Sequence, residues 1–122
     1  MQHAPGFLKI VSEAKARIRE TDIAGYQKML NGEKKPLLVD VREDLEFAAG
    51  HAQGAVHISK GVIERDIETK VPDKHMPLVL YCGGGFRSAL AADALRQMGY
   101  TDVISLDGGW RAWQEAKLPT ES

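Results

Sequence analysis

Apolar residues recur at Phe7, Val11, Ala14 and Ile18, and these spacings of four, three and four predict an amphipathic helix over residues 7–19. A second, shorter helix is expected from the Thr21-Asp22 cap, through Tyr26 and Leu30, to the stop signal Asn31-Gly32. The pattern then changes character. Residues 36–41, 55–58, 78–81 and 103–106 are short apolar runs without alternation. Such runs predict strands covered on both faces, as in parallel sheets. Helical patterns follow or separate them, over 44–49, 61–70, 88–98 and 110–116. The strongest sets Leu90, Ala91, Ala94, Leu95 and Met98 on one face and stops at Gly99. Strands alternating with helices imply βαβ units and an α/β domain of three layers, with helices on both sides of a central sheet. Order along the chain does not dictate the order of strands in that sheet.

A length of 122 residues fits one domain, and no repeat or linker divides the chain. The hydrophobic fraction of 43% and charged fraction of 27% are those of a globular protein. Sixteen basic and seventeen acidic residues leave a net charge of −1, which gives no reason to expect a nucleic-acid or anionic-membrane partner. Arg17, Arg19, Lys34 and Lys35 read as solvated surface charge. Residues 1–11 lack a basic leader and their apolar stretch is broken by Lys9, so no secretory signal is expected. No run approaches the roughly 18 apolar residues of a membrane span. The expectation is a soluble, cytoplasmic protein. The single cysteine excludes an internal disulfide and a multi-cysteine metal site, and it leans toward a reducing compartment.

That cysteine sits in the most informative stretch, Leu78-Val79-Leu80-Tyr81-Cys82-Gly83-Gly84-Gly85-Phe86-Arg87-Ser88. A buried strand delivers Cys82, three glycines turn the chain, and a helix begins. Ligands of open α/β sheets bind at the carboxyl ends of strands, where Cys82 is placed. Glycines allow successive N–H groups to point inward as an anion-binding nest, and the next helix offers its positive end to the same point. Together these fields favour thiolate over thiol. Arg87 adds a cation with fork geometry suited to oxyanions, and the same donors would solvate the outer sulfur of a persulfide. A strand-end cysteine is often only a small buried hydrophobe. Core packing, however, gives no reason for three consecutive glycines beside the only thiol.

With these residues in view, the chain resembles the rhodanese homology domain over residues 18–118. Asp40-Val41-Arg42-Glu43, with Glu46-Phe47 and the stretch from Gly50 to Ile58, is similar to the family's first signature. Tyr81 to Ser88 is similar to its active-site loop, and Leu106-Asp107-Gly108-Gly109-Trp110 with Trp113 to its C-terminal signature. The resemblance implies a five-stranded parallel sheet flanked by helices, with a first strand near 18–20 that the apolar pattern does not reveal. It implies that Cys82 forms the persulfide and that Gly83, Gly84, Gly85, Phe86, Arg87 and Ser88 cradle it. Asp40 and Arg42 match a structural pair, His51 and His57 match structural positions, and Asp107 and Trp110 match the rim or the core beneath. Glycines stand at 83 and 84, where many thiosulfate-using relatives carry a basic residue. Arg87 is thereby left as the main local cation, and a strong preference for thiosulfate is not implied. Residues 1–17 form a helical extension to the domain at 18–122, expected to pack on the core rather than mediate dimer contacts.

The function implied is sulfur transfer from thiosulfate or a persulfide, through Cys82, to cyanide, a thiol or a sulfur-accepting protein. It needs no metal or organic cofactor, and the protein is expected as a monomer or homodimer. Two other classes remain to be weighed. A cysteine-dependent phosphatase or arsenate reductase also cradles an anion before a helix, but places five residues between cysteine and arginine. Here there are four. A non-catalytic binding or regulatory module is disfavoured because the cysteine and its loop are intact.

Overall fold

Pro5 opens the first helix, α1 (Pro5–Lys15), at a position where its missing N–H leaves no bond unmade. The computed structural model describes residues 2–122, so Met1, first residue of the extension, lies outside it. The helix ends at Lys15 rather than at the expected residue 19. Ile18 leaves the helical face to pack against the core, and β1 (Arg19–Thr21) follows at once. Asp22 then caps α2 (Ile23–Met29), its carboxylate accepting the Gly25 N–H at 2.8 Å.

The remaining elements alternate largely as the apolar runs predict. They are β2 (Leu37–Asp40), α3 (Asp44–Ala49), β3 (His51–Ala52), β4 (Val56–His57), a 3-10 turn (Lys60–Val62) that leads into α4 (Ile63–Lys70), and β5 (Leu78–Tyr81). The chain finishes with α5 (Phe86–Gln97), β6 (Val103–Leu106), α6 (Gly109–Glu115) and β7 (Thr120–Glu121). Helix α5 begins two residues before the expected start at 88, because Gly85 takes a left-handed conformation at its N-cap. The β3–β7 pair is antiparallel, matching His51 to Glu121 and Ala52 to Thr120, and no pattern of apolar residues announces it.

The main sheet has five parallel strands in the order β1-β6-β5-β2-β4. Its central strands are covered on both faces, which is why their sequences do not alternate. Val39, Leu78 and Leu80 face Ile63 and Ile67 of α4 and Ala91, Ala92 and Leu95 of α5. Leu38, Val79 and Tyr81 face Tyr26 of α2 and Trp113 of α6. Helix α1 packs against α5 with Val11 and Ala14 buried. Arg17 secures it by a two-pronged bond to Asp93, at 3.0 and 2.7 Å. Among the described residues, no helix is long and apolar enough to cross a membrane.

From β2 the chain moves outward to β4, and from β5 it moves the opposite way to β6. The crevice between β2 and β5 is thus a topological switch point, the place where such sheets bind ligands. Cys82 stands at the carboxyl end of β5, beside it.

The end of β2 is held by a buried ion pair. Asp40 is 0% exposed and Arg42 is 4% exposed, with Arg42 Nη2 donating to Asp40 Oδ2 at 2.8 Å and to the Gly50 carbonyl at 2.7 Å. The guanidinium also lies 4.7 Å from the Trp110 ring centre, in cation–π range. Arg42→Leu strands the Asp40 carboxylate without its partner. It is expected to lower stability by about 3–5 kcal/mol, read from urea unfolding. A loss below about 1 kcal/mol would show that the pair is exchangeable for apolar packing.

Candidate active site

The loop from Cys82 to Ser88 is shaped from behind by α6. The amide of Trp110 donates to the Cys82 carbonyl at 2.7 Å, that of Arg111 to Gly83 at 3.2 Å, and that of Gly108 to Gly84 at 3.3 Å. This close approach requires Gly109, with φ +48°, because a Cβ there would stand 2.3 Å from the Cys82 carbonyl oxygen. Gly85, with φ +112°, then turns the chain into α5 in a conformation that side-chain-bearing residues rarely adopt. Gly84 carries no such steric demand, since nothing lies within 4 Å of a Cβ built on it.

Turned this way, the loop aims donors at the sulfur. Cys82 Sγ accepts the Gly85 N–H at 3.2 Å and the Ser88 N–H at 3.4 Å. Gly85 has no side chain to cap α5, so the sulfur takes the capping role for the first turn of that helix. Ser88 Oγ lies 3.6 Å from Sγ and 2.8 Å from Ser105 Oγ on β6. It accepts from the thiol and donates to the thiolate. Burial, with Cys82 only 1% exposed, pushes the thiol's pKa up. The Ser88 hydroxyl and the amides of Ser88, Gly85 and Gly84 outweigh that burial and hold the pKa below its ordinary value.

Cys82 lies on the floor of a cavity of about 640 Å³, which also reaches Gly83, Gly84, Phe86 and Arg87 of the loop. The Arg87 guanidinium at the cavity wall is paired with a carboxylate. Its Nη1 and Nη2 donate to the two carboxylate oxygens of Glu46, at 2.7 and 3.2 Å. Arg87 holds the Glu46 carboxyl below the usual carboxylate range, so the partner is a firm anion. Glu46 is itself fixed by α3, where it accepts the Glu43 N–H in a capping box.

A family model, the rhodanese-like domain, matches residues 22–116. The chain belongs to the rhodanese family. The rhodanese relative GlpE of Vibrio cholerae, a thiosulfate sulfurtransferase, is 34% identical over 101 residues, covering 83% of this chain and 92% of its own. A polysulfide-sulfur transferase homodimer from Wolinella succinogenes shares the fold at a TM-score of 0.79 and 28% identity, covering 95% of this chain and 87% of its own. A protein of unknown function from Rhodopseudomonas palustris, described as a possible tyrosine phosphatase, reaches a TM-score of 0.83 at 29% identity, covering 99% of this chain and 98% of its own. The five-stranded parallel sheet expected from the rhodanese resemblance is the sheet observed, including β1 at its edge.

Of the rhodanese loop residues, Gly85 and Ser88 converge on the Cys82 sulfur, with the Gly84 amide contributing as well, while the Gly83 and Gly84 carbonyls turn toward α6. Phe86 faces the cavity. Arg87, expected as the main local cation, lines the cavity with its guanidinium paired to Glu46. His51 and His57 do not line the cavity. They sandwich Phe47, with ring centres 3.6 and 4.5 Å away, and His57 Nε2 donates to the Arg42 carbonyl at 2.8 Å. Asp107 is exposed, 3.9 Å from Lys15 Nζ, and Trp110 lies beneath Arg42. The apolar pattern gave no sign of His3, Phe7 and Arg111, which also line the cavity. Phe7 reads as a core position of α1, a role that Val11 and Ala14 fill instead.

The lowered pKa sets a pH window. Thiolate persists below the ordinary cysteine pKa of about 8.5 and is lost as pH falls through the lowered value. Alkylation of Cys82 by iodoacetamide is expected to show a midpoint below that of a free thiol, and Ser88→Ala to move it upward. A Ser88→Ala profile identical to the parent would remove the hydroxyl from the cause. Gly109→Ala forces φ +48° on a residue with a Cβ and crowds the Cys82 carbonyl. It is expected to lower stability by at least about 1 kcal/mol and to raise the same midpoint. A destabilised variant with an unmoved midpoint would show that the loop keeps its shape without α6.

Proposed function

We propose that the protein is a sulfurtransferase in which Cys82 carries one sulfane sulfur, as a persulfide, from a donor to a thiophilic acceptor. The observation that carries this reading is the convergence of the Gly85 amide, the Ser88 amide and the Ser88 hydroxyl on Cys82 Sγ, at 3.2, 3.4 and 3.6 Å, at the floor of an open cavity. The names of the Vibrio and Wolinella relatives support it.

In the first step the Cys82 thiolate attacks the sulfane sulfur of the donor. One S–S bond forms at Cys82 as the donor's own S–S bond breaks. Thiosulfate leaves as sulfite; a persulfide R–S–SH leaves as the thiolate R–S⁻. In the second step cyanide, a thiolate or a cysteine of an acceptor protein attacks the outer sulfur, and Cys82 departs as thiolate. No external oxidant or reductant enters either half. The loop donors that favour the Cys82 thiolate also favour the Cys82–S–S⁻ anion, so both resting forms are stabilised by fixed dipoles. A reducing cytoplasm suits this cycle, because acceptor thiols there stay reduced.

The likeness to a possible tyrosine phosphatase favours a second reading, phosphoryl transfer. Two features stand against it. Only four residues separate Cys82 from Arg87, and the Arg87 fork is occupied by Glu46. Hydrolysis of p-nitrophenyl phosphate is expected to be absent.

Intact-mass spectrometry tests the transfer. Protein treated with thiosulfate or glutathione persulfide is expected to gain one sulfur atom, to lose it to cyanide or a thiol, and to gain none as Cys82→Ser. No gain from either donor, with Cys82 shown by alkylation to be reactive, would overturn the proposal in favour of a binding module.

A further inference from the structure

The cavity above Cys82 has two walls of different character. One is aromatic and is built partly by residues preceding the span that matches the family. The His3 ring lies 5.0 Å and the Phe7 ring 6.1 Å from the ring of Phe86, and His3 and Phe7 lie 5.2 Å from each other. Helix α1 holds this wall in place through Val11, Ala14 and the Arg17–Asp93 bond. The other wall carries Arg111. Its backbone is anchored to the loop at Gly83, and its exposed side chain forms no ion pair among the described residues. Arg87 is neutralised by Glu46, so Arg111 is the cation lining this cavity that a ligand finds unpaired.

The size of the cavity also bears on its occupant. At about 640 Å³ it falls within the range of about 300–1,000 Å³ typical of organic-ligand sites. A five-atom inorganic anion such as thiosulfate would leave most of it filled with water and its aromatic wall untouched.

We propose that α1 and Arg111 make this cavity a recognition site for an organic persulfide bearing a carboxylate, with Arg111 binding the carboxylate and the His3–Phe7–Phe86 wall covering the carbon skeleton. This rests on the sulfurtransferase reading above. The chemistry is the first step already described: the Cys82 thiolate takes the outer sulfur of R–S–SH, and R–S⁻ leaves. Recognition acts on R, away from the reacting sulfurs. Arg111 and Phe7 are thus specificity-determining residues, and the extension belongs to the substrate site as well as to the fold.

The experiment compares two persulfides with the same reacting atoms, glutathione persulfide and the persulfide of glutathione diethyl ester. Sulfur loading of Cys82 in the full chain is followed by rapid quench and intact mass. The parent is expected to prefer the free acid, through a lower half-saturating concentration. Arg111→Gln is expected to reduce that preference about tenfold, equivalent to about 1.4 kcal/mol, and Arg111→Lys to restore part of it. Phe7→Ala is expected to lower the ratio of glutathione persulfide to thiosulfate loading, with urea unfolding confirming that the variant folds. If every variant loads both persulfides in the parent's ratio, the assignment of Arg111 is overturned while sulfur transfer stands. If no donor loads the parent at all, the sulfurtransferase reading falls first and takes this inference with it.

Discussion

The site depends on three backbone bonds in which α6 and its N-cap, Gly108, grip the carbonyls of Cys82, Gly83 and Gly84. A trans peptide points its N–H and its C=O in opposite directions, so fixing one orients the other. Pulling these carbonyls toward α6 leaves neighbouring amides free to turn toward the sulfur. The inward turn of these amides is thus imposed on the loop by a helix that itself comes more than twenty residues later in the chain. The need for contact at this distance explains why Gly109 faces the back of the loop. The glycine whose conformation matters most within the loop is the last of the three, Gly85, where the strand-to-helix turn is made.

The sheet supplies the frame for that grip. Because β5 is covered on both faces, by α4 and α5 on one side and by α2 and α6 on the other, its carboxyl end is fixed in three dimensions. Burial of Cys82 follows from this position. A thiolate there would be disfavoured if the loop presented nothing but apolar atoms. The structure resolves the conflict between burial and charge with oriented amides and a hydroxyl, and it keeps the full cation of Arg87 one step away, paired with Glu46. The oriented dipoles touch the sulfur directly, while the Arg87 charge acts on it only from a distance.

The central strands, most helices and the cysteine loop were legible because each is a local pattern. Runs such as Leu78 to Tyr81 are apolar throughout, and a glycine triplet after a lone cysteine stands out in any chain. What stayed hidden depends on contacts distant in sequence. Strand β1 sits at the sheet edge with Arg19 and Glu20 exposed, so no apolar signal marks it; the family resemblance did. Strands β3 and β7 are two residues each, too short for any period to show. The pairing of Arg87 with Glu46 joins residues forty-one positions apart, a distance over which no local pattern carries a signal. Phe7 falls on the apolar rhythm of α1, and periodicity alone cannot separate a residue facing the core from one facing a cavity beside it.

The Ser88 hydroxyl, set between Cys82 and Ser105, has a consequence for the sulfur transfer proposed above. Each passage through the cycle adds or removes charge at a buried sulfur, and most environments would answer by rearranging side chains or admitting water. Here the amides are already aimed, and the remaining adjustment is the rotation of two small hydroxyls about their C–O bonds. The medium around the sulfur is therefore stiff in position yet quick to repolarise. Rotation of such a hydroxyl falls in the picosecond-to-nanosecond range of small side-chain motions.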